Sequence, residues 1–173
     1  GLMPGTQGGF TLAQTVHLKL KIGGNDTPGE SSIASLGRAD TIECSSFDYG
    51  VTSPRESSGK QTGRRIHDTV KITKFIDKTT PLILKALCMN EVCELEFMFF
   101  QPNKTGAGDE EHFYTVKLAN AYVAKLTQHS EDPTLGGELA PPMTEHVEWV
   151  FQDIWWTYLD GGVEHHDSWK GEG

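Results

Sequence analysis

The chain has 173 residues, with 15 basic and 24 acidic side chains and a formal charge of −9. At this length one domain is the default, burying roughly 70% of its unfolded surface. The acidic balance excludes a nucleic-acid footprint and an anionic membrane surface as partners, and no apolar run approaches a membrane span.

Residues 1–15 are glycine-rich and are expected to form a flexible lead-in, too polar over 2–10 for a secretory leader. Residues 16–22 (VHLKLKI) alternate strictly. Val16, Leu18, Leu20 and Ile22 share one face, with His17, Lys19 and Lys21 on the other, which predicts a half-buried antiparallel strand. Residues 23–38 have loop composition. Residues 40–49 predict a second strand whose phase changes between Cys44 and Phe47, so a bulge is expected at Ser45-Ser46.

Residues 51–65 (VTSPRESSGKQTGRR) have no apolar period and carry Arg55, Lys60, Arg64 and Arg65. A structureless stretch of this length inside a domain is uncommon; it either floats in solvent or reaches out to touch something else.

Residues 70–75 (VKITKF) predict a strand. Asp77-Lys78-Thr79 then reads as a turn, Thr80 as an N-cap and Pro81 as a first helical residue. The helix that follows places Ile83, Ala86 and Leu87 on one face. At about nine residues it is shorter than the roughly 12–15 that persist alone in water, so it must pack on strands. In residues 92–101, Leu95, Phe97 and Phe99 share a face; the opposite one begins with Glu94 and Glu96 and ends with Met98 and Phe100, predicting that another surface covers its end. Residues 113–118 and 121–126 predict extended segments around Asn120, and 128–142 a loop. In 147–158 the apolar phase slips at Gln152-Asp153, as at a barrel corner. Residues 160–173 read as a polar tail, leaving 16–159 as the domain. About seven strands and one short helix predict a mainly β fold: an antiparallel barrel or sandwich.

No residue pattern marks an enzyme, a cofactor or a metal. Glu164-His165-His166-Asp167 is the one dense ligand-type cluster, and it falls in a glycine-flanked stretch with no supporting shell. His112, His129 and His146 lie beside charges and turns and are expected at the surface. Cys44, Cys88 and Cys93 are too few for a disulfide framework and too scattered for zinc, and are expected as buried thiols in a reducing compartment. Phosphate-loop, zinc-protease and serine-hydrolase motifs are absent. Trp149, Trp155, Trp156 and Tyr158 raise a carbohydrate-binding alternative, but their alternation suits core and interface packing better.

Several features in one order point further. Gly29-Glu30-Ser31 follows the first strand, and Ser46-Phe47-Asp48-Tyr49-Gly50 ends the second before the long polar stretch. Lys74-Phe75-Ile76-Asp77-Lys78-Thr79-Thr80-Pro81 precedes the helix, and the phase-switching strand closes on Trp156-Thr157-Tyr158. In this order the chain resembles the Hcp (haemolysin-coregulated protein) family over residues 16–158. The lead-in is longer than is usual there, and residues 33–38 lack the family's frequent histidine–lysine cluster.

The resemblance implies a tail-tube subunit of type VI secretion with no catalytic residues. It implies six-membered rings that stack into an expelled tube, with sheath, spike and effector proteins as partners. It also implies assembly in the bacterial cytoplasm and export through the machine without a signal peptide. The stretch 51–65 corresponds to a loop that reaches neighbouring subunits or rings, which assigns Arg55, Lys60, Arg64 and Arg65 to an intersubunit contact. A tail-tube protein of a phage or phage-like contractile particle is the alternative that shares this architecture.

Overall fold

The computed structural model describes residues 14–105, 109–130, 132, 134 and 143–169. The predicted lead-in up to residue 13, the end of the predicted tail and most of the loop 128–142 lie outside the described residues. The alternating stretch forms β1 (Thr15–Ile22), and Gly23 and Gly24, both at positive φ, turn it into the short β2 (Asn25–Thr27). Gly29 sits so close to the following strand that a Cβ would lie 2.5 Å from the Thr41 carbonyl oxygen, so only glycine fits this corner. Next come β3 (Ile42–Cys44) and β4 (Ser46–Asp48), one bent segment broken at Ser45 inside the serine pair where a bulge was expected. The chain continues through β5 (Val51–Thr52), β6 (Ile66–His67), β7 (Val70–Phe75) and α1 (Thr80–Met89). It ends with β8 (Cys93–Pro102), β9 (Glu110–His129), β10 (Thr144–Tyr158) and β11 (Val163–Ser168).

Every ladder is antiparallel, and the main sheet runs β2-β1-β8-β9-β10-β7-β4, with β3 also on β1 and β11 also on β10. The ladder does not close uninterrupted. Instead the segment 42–48 spans the two ends of the sheet, pairing with β1 through β3 and with β7 through β4. At the break, Ser45 N–H donates to the Thr73 carbonyl at 2.8 Å. Cross-strand rows fill the interior: Leu20, Leu95, Leu118 and Ile154 in one, Leu18, Phe97, Val116 and Trp156 in the next. The fold is the mainly β, one-helix architecture the sequence predicts, with a sheet curled on itself rather than a closed barrel.

The helix packs against β9, with Ile83 and Ala86 buried in the core and Leu87 half-buried against it. Its N-cap is Thr79, one residue before the expected Thr80. The cap is indirect: the Asp77 carboxylate accepts from the Thr79 N–H (2.9 Å) and hydroxyl (2.5 Å), while the Asp77 N–H donates to the Thr80 hydroxyl (3.1 Å). Beneath this turn Lys74, in phase with Val70 and Ile72, is fully buried. Its ammonium donates to Glu145 Oε2 (2.6 Å), the Phe75 carbonyl (2.8 Å), Asp77 (3.0 Å) and Thr80 (3.3 Å). The buried Glu145 also accepts from Thr80 (2.8 Å) and Gln128 (3.2 Å). One network thus joins β7, β10, β9 and the start of α1.

Several sequence expectations are corrected. His17, expected on the wet face of β1, is 1% exposed. What covers it also covers the apolar end of β8: Arg38 folds back with its guanidinium 4.4 Å above the Phe100 ring and pairs with Glu110. His17 and His112 flank the same ring, at 5.6 and 5.0 Å. The Thr41 hydroxyl donates to the Arg38 carbonyl (2.7 Å) and accepts from His17 Nδ1 (2.9 Å). The surface expected at this end of β8 is therefore supplied, over Phe100, by this chain's own loop. His112 and His146 are half-buried rather than at the surface, and Cys88 is exposed although Cys44 and Cys93 are buried. The two segments around Asn120 are one strand, with Asn120 in the left-handed region (φ 49°). The phase slip at Gln152-Asp153 is present, but the irregularity lies in the neighbouring β8–β9 ladder, between Cys93 and Leu95; the β9–β10 register stays constant there. Last, the segment expected as a polar tail contains β11, paired with β10 from Asp153↔Ser168 to Tyr158↔Val163.

Candidate intersubunit arm and its root

The stretch without apolar periodicity is a hairpin. Val51 pairs with His67 and Thr52 with Ile66 in a small sheet separate from the main one. Beyond this root, Arg55 and Gln61 form a bridge, Thr62 N–H donates to the Pro54 carbonyl (2.9 Å), and Glu56 N–H donates to the Lys60 carbonyl (2.8 Å). Gly59, at φ +91°, makes the tip turn, and Arg55 donates to its carbonyl at 3.0 Å. The hairpin's own apolar side chains, Val51 and Ile66 at the root, are about half exposed rather than packed in the core, which is why no period could announce it. Residues 55–64 are exposed throughout.

Four basic side chains lie on this arm against Glu56 alone, in a chain whose overall charge is acidic. The structure separates them. Arg55 and Lys60 sit at the exposed tip, and Arg64 is exposed nearer the root. Arg65 is turned inward, its Nε and Nη2 each 2.6 Å from one oxygen of Asp167 on β11.

The same carboxylate accepts from His67 Nε2 (2.7 Å), and in the neutral ring His67 Nδ1 then accepts the Tyr49 hydroxyl (2.6 Å). Tyr49, Phe151, Trp156 and Trp169 surround the His67 ring at centroid distances of 5.2–6.3 Å. The paired donors hold the Asp167 carboxyl well below the usual carboxylate range, Arg65 contributing most. Burial, then the Asp167 charge, pushes the Tyr49 phenol up. A Tyr–His–Asp chain of this kind superficially suggests a nucleophile relay, but its hydroxyl is made harder to ionise, the reverse of activation.

Tyr49, His67 and Asp167 were not singled out as a set from the sequence. The signal that could have found β11 is Asp160-Gly161-Gly162 between two extended stretches, a hairpin turn with both glycines at positive φ. The cluster read for metal is dispersed along that strand: His165 stacks on Trp156 (5.7 Å), His166 on Trp155 (4.5 Å), and Asp167 faces the arm. Trp149 is fully buried and Trp156 packs against the core, so the tryptophans do not gather on one open face.

Comparison with known proteins agrees over nearly the whole domain. The family model described as "Type VI secretion system effector, Hcp" matches residues 19–158. The chain is 31% identical over 136 residues to the Major exported protein of Pseudomonas aeruginosa strain PAO1, covering 78% of each. A mutant form of Hcp1 from Escherichia coli EAEC 042, 32% identical, superposes with a TM-score of 0.76 over 91% of this chain and 99% of that one. Hcp3 of Pseudomonas aeruginosa, 23% identical, shares the fold with a TM-score of 0.70, covering 92% of this chain and 100% of the other. These matches identify a structural secretion component rather than an enzyme, and the chain belongs to the Hcp family of type VI secretion tube proteins.

Proposed function

We propose that this protein closes into a six-membered ring with copies of itself, that the rings stack into the inner tube of a type VI machine, and that the tube encloses effectors. The observation that carries this reading is the arm: a hairpin exposed over residues 55–64, basic where the chain is acidic, leaving the domain that makes it. A projecting hairpin of this sort finds its stabilisation on another molecule, and opposite charge favours a second copy of this acidic chain. Contact from one subunit's arm to the next subunit's body is head-to-tail, which closes into a ring when the rotation allows. The exposed edges of β2 and β11 would be protected by the same assembly. In this reading the subunit assembles in the bacterial cytoplasm, meets sheath and spike proteins there, and leaves through the machine.

Electron microscopy and native mass spectrometry of the purified protein test the ring directly; a monomer at every accessible concentration overturns it. Within the arm, Arg55→Glu with Lys60→Glu is the informative pair, because Arg65 is already engaged inside its own chain. This double variant should assemble poorly while its monomer melts as the parent does. Rings formed at the parental concentration would remove the arm tip from the interface.

A further inference from the structure

We infer that β11 is the positioning element of the arm, with Asp167 as the residue that sets the direction in which the hairpin leaves the body. A two-stranded hairpin is marginal alone in water, and this one has two residue pairs at its root and one bridge beyond. Without further support its tip would swing about Gly50 and Asp68, where a single hydrogen bond, Asp68 N–H to the Gly50 carbonyl (2.9 Å), ties the two ends.

Tyr49 holds the far side of the His67 ring through its hydroxyl (2.6 Å), and the support from β11 converges on one carboxylate. Asp167 holds Arg65 by a two-pronged contact and His67 by a third bond, so two residues at alternate positions on the returning side of the arm are fixed from the same point. Paired, charge-assisted bonds of this geometry fix orientation as well as distance. Asp167 can do this because its own strand is anchored: β11 is paired with β10 over six residues, and Trp169 N–H donates to the Gln152 carbonyl (2.9 Å) just beyond. Trp169 and Trp156 then close over the His67 ring, shielding the contact from water. The His67 and Asp167 side chains are 4% and 15% exposed and that of Arg65 32%, so the His67 bond is the best shielded of the three.

The value of such a clamp rests on the arm being an intersubunit contact: an arm already aimed costs less ordering entropy when it docks. The test therefore reads arm order and assembly separately. Hydrogen exchange is followed in the arm and in β8–β9 for the parent, Asp167→Asn, Asp167→Ala and the exchanged pair Arg65→Asp with Asp167→Arg. Assembly is measured on the same samples by sedimentation.

Asp167→Ala should speed exchange of the Asp68 amide and the arm amides by about tenfold or more, with β8–β9 unchanged. Asp167→Asn should fall between it and the parent, and the exchanged pair should recover part of the protection. Assembly should shift to higher concentration in the same order. Arm protection equal to the parent's in Asp167→Ala overturns the clamp. Protection lost while rings form as before supports the clamp and overturns the arm's role in assembly instead. Should Asp167→Ala not fold, Asp167→Asn carries the same comparison, since it keeps the side-chain shape and removes the charge.

Discussion

Lys74 sits where no water reaches it, and that single side chain shows what the sequence conceals. Its position in phase with Val70 and Ile72 marks an inward-facing residue, and an inward lysine requires an acid that sequence alone cannot locate seventy positions away. Removing one member of a buried pair strands the other: Glu145→Gln or Lys74→Met should each cost about 3–5 kcal/mol in urea unfolding. The double change to Met and Leu should recover only part of this, because Asp77, Thr80 and Gln128 also lose a partner. His17 and His112 were likewise misplaced from sequence, since the loop that covers the Phe100 ring between them has no periodic signal. Burial, with Arg38 adding to it at His17, holds both imidazoles below their ordinary 6.5. As pH falls through about 6.5 the unfolded chain binds protons there that the folded chain refuses, so stability declines on acidification. The melting temperature should fall from about pH 7.5 to about pH 5.5, and the fall should be shallower in His17→Gln. The depressed carboxyls of Asp167 and Glu43 act later, withdrawing stability only below the ordinary carboxylate range.

Elements were legible in proportion to their periodicity. β1 and β8 are read from alternation, and α1 from three- and four-residue spacing, because each buries one face on the core. The arm and β11 were missed as strands for the opposite reason: their apolar residues Val51, Ile66 and Val163 stay largely exposed, so polar composition is all the chain shows. The helix supplies a graded test. Ile83→Ala, at a fully buried site, should cost about 2–5 kcal/mol in urea unfolding, and Leu87→Ala, half-buried, about half as much. A reversed order would mean that the helix docks through a different face. The Arg38 loop shows why Phe100 at the outer end of β8 is not an interface residue: its covering surface is local.

For the whole molecule, family and fold are readable in the sequence because the marker stretches occur in one order at the positions the architecture needs. Gly29 is one such case, with a backbone oxygen where any side chain would begin. What could not be read was which basic residues of the arm are outward. If arm tip and acidic body meet between copies, ring formation should weaken as salt rises from about 0.05 to about 0.5 M, with midpoints read by sedimentation. Salt-independent assembly would shift the weight to the exposed apolar residues Val51 and Ile66 at the root.

The bent segment 42–48 has a mechanical corollary. Its two halves are each held by three residue pairs, whereas β9 and β10 grip one another along most of their length. Load pulling the cylinder wall apart therefore meets a short zipper before a long one. The break at Ser45 is where the subunit should give first, and if copies stack into an expelled tube as proposed, its wall should flex at this line while the longer ladders stay shut.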